Sequence, residues 1–425
     1  MRRLGPALEV RDYRLWWLAL LGMGISLQML EVAIGWEVYD QHRSALDLGW
    51  IGLAEFVPMF VLALPAGQLA DRVPRRLIFA GSLILGAAVG VGLALISGAG
   101  VTAIVPYLAL AVGSGTAMAL GTPAARAMSP TLVPVELLQS AMTLRSIATQ
   151  SAQVVGPALG GLLYGTSPSL VYLLAAGSCL TASGLVMAMR PGQAADAATA
   201  EDPQPRETVN VQSVLEGLRF VKRTPILLGA ILLDLLAVLF GGAIGLLPIF
   251  ARSILHVGAT GLGLLRAAPA VGALIGAAVI TRRPIGGRAG RLLFIVVLLY
   301  GACIVVFGLS RFYPLSLVAL AFSGFVDLYS MNIRSTTVAL ASPNRLRGRV
   351  NAVEMVFISA SNQLGYFESG LAASLVGTIP AVVGGGVITM LIALSWGRIF
   401  PALAEVDRLE HIRPKSEAAP VGASA

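Results

Sequence analysis

Apolar runs of more than about 17 residues alternate along the chain with short polar stretches, the pattern expected of helices long enough to cross a bilayer. Twelve such runs stand out, at 14–40, 48–70, 77–98, 101–124, 136–164, 168–190, 225–251, 260–281, 290–310, 313–340, 350–377 and 379–401. The first follows Arg2, Arg3, Arg11 and Arg14 and so begins like a secretory signal. It continues to about Val38 without a small-residue cleavage site, so the expectation is an uncleaved first span. The longest polar stretch, 191–224, begins PGQAADAATAEDPQPRE and divides the spans six and six. Its Ala, Pro, Gln and acid content cannot bury a core and reads as a flexible linker. The polar tail after Glu405 reads as disordered.

The expected fold is therefore an all-α membrane protein of twelve transmembrane helices in two pseudo-symmetric six-helix bundles. The first bundle is expected over 1–190, a cytoplasmic linker over 191–224, the second bundle over 225–404 and the tail over 405–425.

Composition supports this. Of 425 residues, 56% are hydrophobic and 12% charged, where a soluble domain carries about 25% charged residues. The net charge of +8 could suit a nucleic-acid binder, but the basic residues sit in short clusters between apolar runs, as inner-loop anchors do. With the N-terminus in the cytoplasm, the loops on that side carry Arg72, Arg75, Arg76, Arg126, Arg219, Lys222 and Arg223. They also hold the arginines of 282–291, 345–349 and 398–413, whereas the opposite loops hold Arg43, Arg252 and Arg311. Both termini are therefore expected in the cytoplasm.

Several function classes drop out. Cys179 and Cys303 lie inside apolar runs and read as small core residues rather than a disulfide or a metal set. His42, His256 and His411 fall in loops or the tail, which leaves no paired nucleophile and base for an enzyme. No Gly-x4-Gly-Lys-Ser/Thr run occurs, so a gradient rather than a nucleotide must supply energy, and no cofactor is expected. Trp16, Trp17, Trp36, Trp50 and Trp396 lie near span ends, where an aromatic belt is expected.

The halves repeat. A shift of 209 aligns Pro134 with Pro343, Gly156 with Gly365 and Gly161 with Gly370, while a shift of 211 aligns GLAEFVP (52–58) with GLLRAAP (263–269). Such parallel halves are one architecture of secondary transporters, with the substrate site between them. Under this alignment Arg145 falls opposite Glu354, and Glu55 opposite Arg266. An ionised side chain at mid-bilayer costs roughly 2.5–3.5 kcal/mol, so each requires a partner or a wet cavity. Two readings stand: Glu55/Arg266 close the outer side and Arg145/Glu354 the inner side in turn, or each charge is held by a nearer partner in its own half.

Between the second and third spans runs GQLADRVPRRL, and in the fifth SAQVVGPALGG. On these motifs the chain resembles the major facilitator superfamily. Gly67, Leu69, Ala70, Asp71, Arg72, Arg75 and Arg76 match its signature between spans two and three, with Pro74 in place of a glycine. Gly156, Pro157, Gly160 and Gly161 match the Gly-Pro-x-x-Gly-Gly core of its exporter branches, with Ala152 where a leading glycine is expected. RDYRLWWLALL, PAARAMSPTLVPVELLQSAMTLRS and RLRGRVNAVEMVFISASNQLGYFESG extend the likeness over the chain, to the branch of bacterial enterobactin exporters and related secretion and drug-efflux carriers. The resemblance implies a conformational latch at Gly67, Asp71, Arg72, Arg75 and Arg76. In the second half Arg282 stands where the matching aspartate would be, and the fourth span lacks the embedded arginine of many proton-coupled members.

Spans one, four, seven and ten line the cavity in that superfamily. The resemblance thus points to Glu31, Asp234 and Asp327 as proton or substrate sites, with Glu368 of GYFESG in a packing or gating role. Each could instead be hydrogen-bonded to a neighbouring helix. Glu37 falls near the outer end of the first span, and Arg334 is expected to anchor the inner end of the tenth. The implied function is proton-coupled export of an amphipathic small molecule, such as a siderophore, drug or secondary metabolite, by a monomer in the bilayer. The alternatives are uptake by a facilitator or proton symporter, and a non-transporting membrane receptor.

Overall fold

The computed structural model describes residues 5–190, 211–283, 285–343 and 345–408, with backbone alone at 63, 64, 66–68, 70, 71, 211–214, 352 and 359. The first part of the expected linker (191–210) and the tail from 409 lie outside the described residues. Those described form helices and no strand. In chain order they are α1 (Arg11–His42), α2 (Ala45–Arg72), α3 (Arg75–Gly98), α4 (Ile104–Met128), α5 (Leu138–Tyr164) and α6 (Pro168–Met187). Then follow α7 (Val211–Arg223), α8 (Pro225–Gly241), α9 (Gly258–Arg282), α10 (Ala289–Leu309), α11 (Tyr313–Ala341), α12 (Arg347–Val376) and α13 (Thr378–Ile399).

All twelve expected spans appear as helices. Ten meet the length and hydropathy of a membrane crossing by themselves; α5 and α12 do not. These two are the repeat mates aligned by the 209-residue shift; α5 opens with Gln, Ser, Thr and Arg side chains and α12 with Arg, Asn, Glu and Ser. Their polarity follows from position, because both run along the seam between the halves.

The same packing order recurs in each half. In the first, α1 lies against α5 and α6, α3 against α6 and α4, and α2 against α4. In the second, α8 lies against α12 and α13, α10 against α13 and α11, and α9 against α11. Successive spans reverse direction, so the starts of α1 and α8 and the end of α13 share one face, here the terminal face; the opposite face is the distal one.

The halves meet along α2–α12 and α5–α9. Both crossings are backbone-close. A Cβ on Gly161 would overlap the Ala259 carbonyl oxygen, and one on Gly370 would stand 2.7 Å from that of Ala45. Such approaches admit only hydrogen at these positions, which is how small residues let helices associate within lipid. Of the buried apolar clusters, the one holding residues of both halves lies distally and joins Met29, Val38, Leu246, Phe250 and Leu262. The others belong to one half each.

Two elements depart from expectation. The end of the supposed linker is α7, and its Val221 is buried with Leu227, Val350 and Val353. A Cβ on Gly217 would meet the Arg349 carbonyl oxygen at 2.7 Å, and Glu216 pairs with Arg349. Helical spacing of Val214, Leu218 and Val221 carried this signal, masked by the polar residues upstream. The seventh span is broken at Gly242 and continues to Ile254 through short turns. The break frees carbonyl groups in an apolar setting, and neighbours take them up: Tyr300 donates to the Gly241 oxygen at 3.2 Å and Ser369 to that of Gly242 at 3.1 Å.

The tryptophan belt is likewise corrected. Trp16 is fully buried and donates to the Ala125 oxygen at 3.2 Å; Trp396 is buried and donates to that of Gly229 at 3.0 Å. Trp17 bonds the Leu144 oxygen, and Trp36 is buried, whereas Trp50 is exposed. Three of the five tie helices together, because an indole N–H can take up a carbonyl oxygen that helix geometry leaves a free lone pair.

Candidate functional site

The intramembrane charges gather into layers at different depths. Nearest the distal face, Glu31 of α1, Glu55 of α2 and Arg266 of α9 line one cavity with Tyr366 of α12. Arg266 Nη2 lies 2.5 Å from Glu31 Oε2, a bridge between the halves. Glu55 is buried beside them, close enough to feel both charges. The sequence alignment placed Glu55 opposite Arg266; the structure brings them together but gives the direct contact to Glu31, because α1 presents its carboxylate between them. The cavity measures about 50 Å³, room for ordered water but far below the roughly 300 Å³ or more of a typical ligand pocket.

The distal closure has further polar ties. Asp40 pairs with Arg252 at 2.8 Å, Tyr39 and Ser253 share a hydrogen bond of 2.8 Å, and the Arg252 guanidinium lies over the Trp36 ring. These are contacts between α1 and the segment following α8.

Asp327 stands at mid-depth, fourteen residues from each end of α11 and so about 21 Å along the helix from either. It is exposed, with Tyr300, Asp234 and Ser330 around it. Among the described residues no cation pairs with it.

In the terminal half, Arg334 of α11 pairs with Asp234 of α8, and Glu354 of α12 lines the same small cavity. Arg334 is buried and paired, which corrects its reading as an inner-end anchor. It is the counter-charge that lets Asp234 and Glu354 sit inside the second half. Glu354 is therefore beside Arg334 here, and Arg145 is on the other wall of the seam near Tyr13 and Arg126.

Toward the terminal face α5 exposes Thr143, Ser146, Thr149 and Gln153, and α12 exposes Asn351, Met355 and Asn362. Polar side chains in this number face water rather than lipid. The seam is thus closed distally and splayed at its terminal end, where Arg126 Nη1 reaches Met355 Sδ at 3.5 Å.

The motif residues divide. The side chains of Gly67 and Asp71 lie outside the described residues. Arg72 is exposed at the end of α2. Arg75 donates to the Ala127 oxygen at 3.4 Å and Arg76 to that of Met189, so both cap helix ends in their own half. Pro74 starts α3 with φ of −52°, close to the value its ring imposes. In the second motif, Gly156 and Gly160 press on α1, at Gln28 and Met29, while Gly161 and the Pro157 oxygen press on Gly263 of α9. Glu368 is half-buried and receives a hydrogen bond from Ser369 at 3.4 Å, away from the distal cluster.

Glu37 lies near the distal end of α1, where the sequence put it, but its burial was not foreseen. It is buried, accepting hydrogen bonds from Tyr107 at 2.8 Å, Tyr172 at 2.5 Å and Gln41 at 3.3 Å. Gln41 one turn on signalled this only weakly; Tyr107 and Tyr172 come from α4 and α6, which no local pattern connects to α1.

Comparison with known proteins agrees with this architecture. The family model described as transmembrane secretion effector matches residues 5–420. The enterobactin exporter EntS of Shigella boydii is 28% identical over 366 residues, covering 84% of this chain and 83% of its own. That of Citrobacter koseri is 27% identical over 411 residues, 93% of each. Among solved structures, a single-residue mutant of the nucleoside transporter NupG superposes with a TM-score of 0.72 at 10% identity, over 92% of this chain and all of its own. A bacterial homolog of the human lysosomal transporter Spinster, inward-facing and occupied, gives 0.65 at 15% identity, over 93% and 96%. The fold is thus that of solved transporters, and the chain belongs to the transmembrane secretion effector family of major facilitator transporters.

Proposed function

We propose that the protein exports an amphipathic small molecule from the cytoplasm by alternating access, driven by proton influx. On this reading the terminal face is cytoplasmic in a bacterial inner membrane, as the distribution of arginines favours. The arrangement is then an inward-open state of a monomeric carrier. The family description and the relatives named enterobactin exporters support outward movement of a siderophore, drug or secondary metabolite.

One observation carries the mechanism. The ion pair between the halves lies distal to Asp327, which leaves that carboxylate accessible at mid-depth. Asp327 takes up or releases a proton according to which face is open. Glu31, Glu55 and Arg266 hold the outer side shut, with Gly161 and Gly370 allowing the backbones to meet. Opening outward separates Arg266 from Glu31, and closing inward brings Arg145 to Glu354, so one bridge replaces the other at similar electrostatic cost. Asp234 stays with Arg334 throughout, and Asp71 with Arg72 latches the cytoplasmic ends.

The test is accumulation of enterobactin in everted vesicles under an imposed interior-acid gradient. Wild-type protein is expected to accumulate it, and Asp327→Asn to lose the dependence on the gradient. Movement into whole cells, with none into everted vesicles, would overturn export in favour of uptake.

A further inference from the structure

The two walls of the splayed terminal half differ in charge. On the second-half wall, Asp234 is bound to Arg334, which leaves Glu354 as the carboxylate with charge to spare at that depth. The first-half wall presents Arg126, at the end of α4, and Arg145, two turns into α5, close enough to act on each other. Among the described residues neither is in an ion pair. Two positive charges therefore face one spare negative charge. When this end closes, Glu354 neutralises one arginine and the other is left without a counter-ion in a water-poor seam, a costly arrangement.

We propose that Arg126 and Arg145 form a binding subsite for an acidic group on the transported molecule, a carboxylate, sulfonate or ionised phenol. The proposal rests on the transport reading and adds the charge of the substrate to it. Guanidinium groups bind such planar or multi-oxygen anions through paired N–H donors, which a solvated lysine does less well. Exposed Met142, about one helical turn before Arg145, and Met355, in contact with Arg126, supply apolar surface for the rest of an amphipathic molecule. Lipid headgroups offer the same anion chemistry, but Arg126 reaches across to Met355 of the other half, which sets it in the seam rather than toward lipid.

The experiment reads binding without a gradient, on purified full-length protein in nanodiscs of zwitterionic lipid. Equilibrium dialysis compares naphthalene-1-sulfonate with 1-naphthylmethylammonium, two probes of like shape and opposite charge. Wild-type protein is expected to bind the sulfonate more tightly. Arg126→Gln and Arg145→Gln each weaken it about tenfold, as loss of a charged hydrogen bond implies, and leave the ammonium unchanged. Arg145→Lys keeps the preference in part, and Glu354→Gln, which removes the negative charge facing the pair, tightens sulfonate about threefold. Absence of saturable sulfonate binding, equal affinity for the two probes, or an unchanged sulfonate Kd in the double glutamine variant would overturn the proposal. So would abolition of sulfonate binding by phosphatidylglycerol in the nanodisc, which would assign the pair to headgroups. Charge preference that persists in a protein unable to move solute would sink the transport reading alone; transport without charge preference would sink this one alone.

Discussion

The distal and terminal charge clusters have nearly the same composition and opposite construction. Distally, Glu31, Glu55 and Arg266 come from three helices in two halves, and their bridge crosses the seam. In the terminal half, Asp234, Arg334 and Glu354 come from three helices of one half, and their bridge does not. A buried carboxylate must be compensated either way, but on the proposed alternating access only the first arrangement would break as the halves rotate. The second would hold one bundle rigid while it moved. On that reading the same few residue types supply both a joint and a brace.

The sharpest way to break this contrast is Arg266→Gln, which leaves buried Glu55 and half-buried Glu31 without their cation. A loss of about 3–5 kcal/mol is expected, read as a fall in thermal stability together with loss of transport. Glu31→Gln combined with Arg266→Gln should recover much of it; a double variant no better than the single would show that the bridge is not the joint. Next in size is charge reversal on the terminal side. Glu354→Arg alone should keep the terminal end from closing, and adding Arg145→Glu should restore closure, read as protection of Ser146→Cys from thiol labelling, if these residues meet. No rescue would leave Glu354 as part of the brace with Arg334.

A steric test bears on the joint alone. Gly161→Leu drives a side chain into the Ala259 oxygen, so the distal face should part and the terminal end close. Thiol labelling at Ser146→Cys, exposed in the splayed seam, is expected to slow about tenfold, the effect of shifting a two-state balance by about 1.4 kcal/mol. Native Cys179 and Cys303 are buried and add little background. Unchanged labelling would separate the glycine crossing from the gate. The smallest effect is expected at Ser369→Ala, which leaves the Gly242 oxygen without its donor at the break after α8. A loss of about 1 kcal/mol in stability is expected, with the charge clusters undisturbed; a larger loss would make the break part of the joint.

Much of the fold was legible because the bilayer imposes a length and a composition on each crossing. The twelve runs, the six-and-six division and the repeat could all be read from apolar patterning and glycine spacing. Less legible were α7, whose helical periodicity follows a long polar stretch, and the tryptophans, whose place near span ends suggested lipid contact. The candidate site was legible as a set of costly charges but not as pairs. Glu31 and Arg266 are 235 residues apart, Asp234 and Arg334 a hundred, and which carboxylate wins which cation depends on where helices from distant segments cross.

By itself, then, the chain determined what must be compensated: an intramembrane charge is expensive wherever the helix carrying it goes, so Glu31, Glu55, Asp234, Arg266, Asp327 and Glu354 announced themselves. Tertiary structure decided how. Packing angles and backbone-close glycine crossings set which side chains share a cavity, and the tilt between the halves sets which bridges span the seam. Those are properties of helix arrangement in three dimensions, to which local sequence is blind.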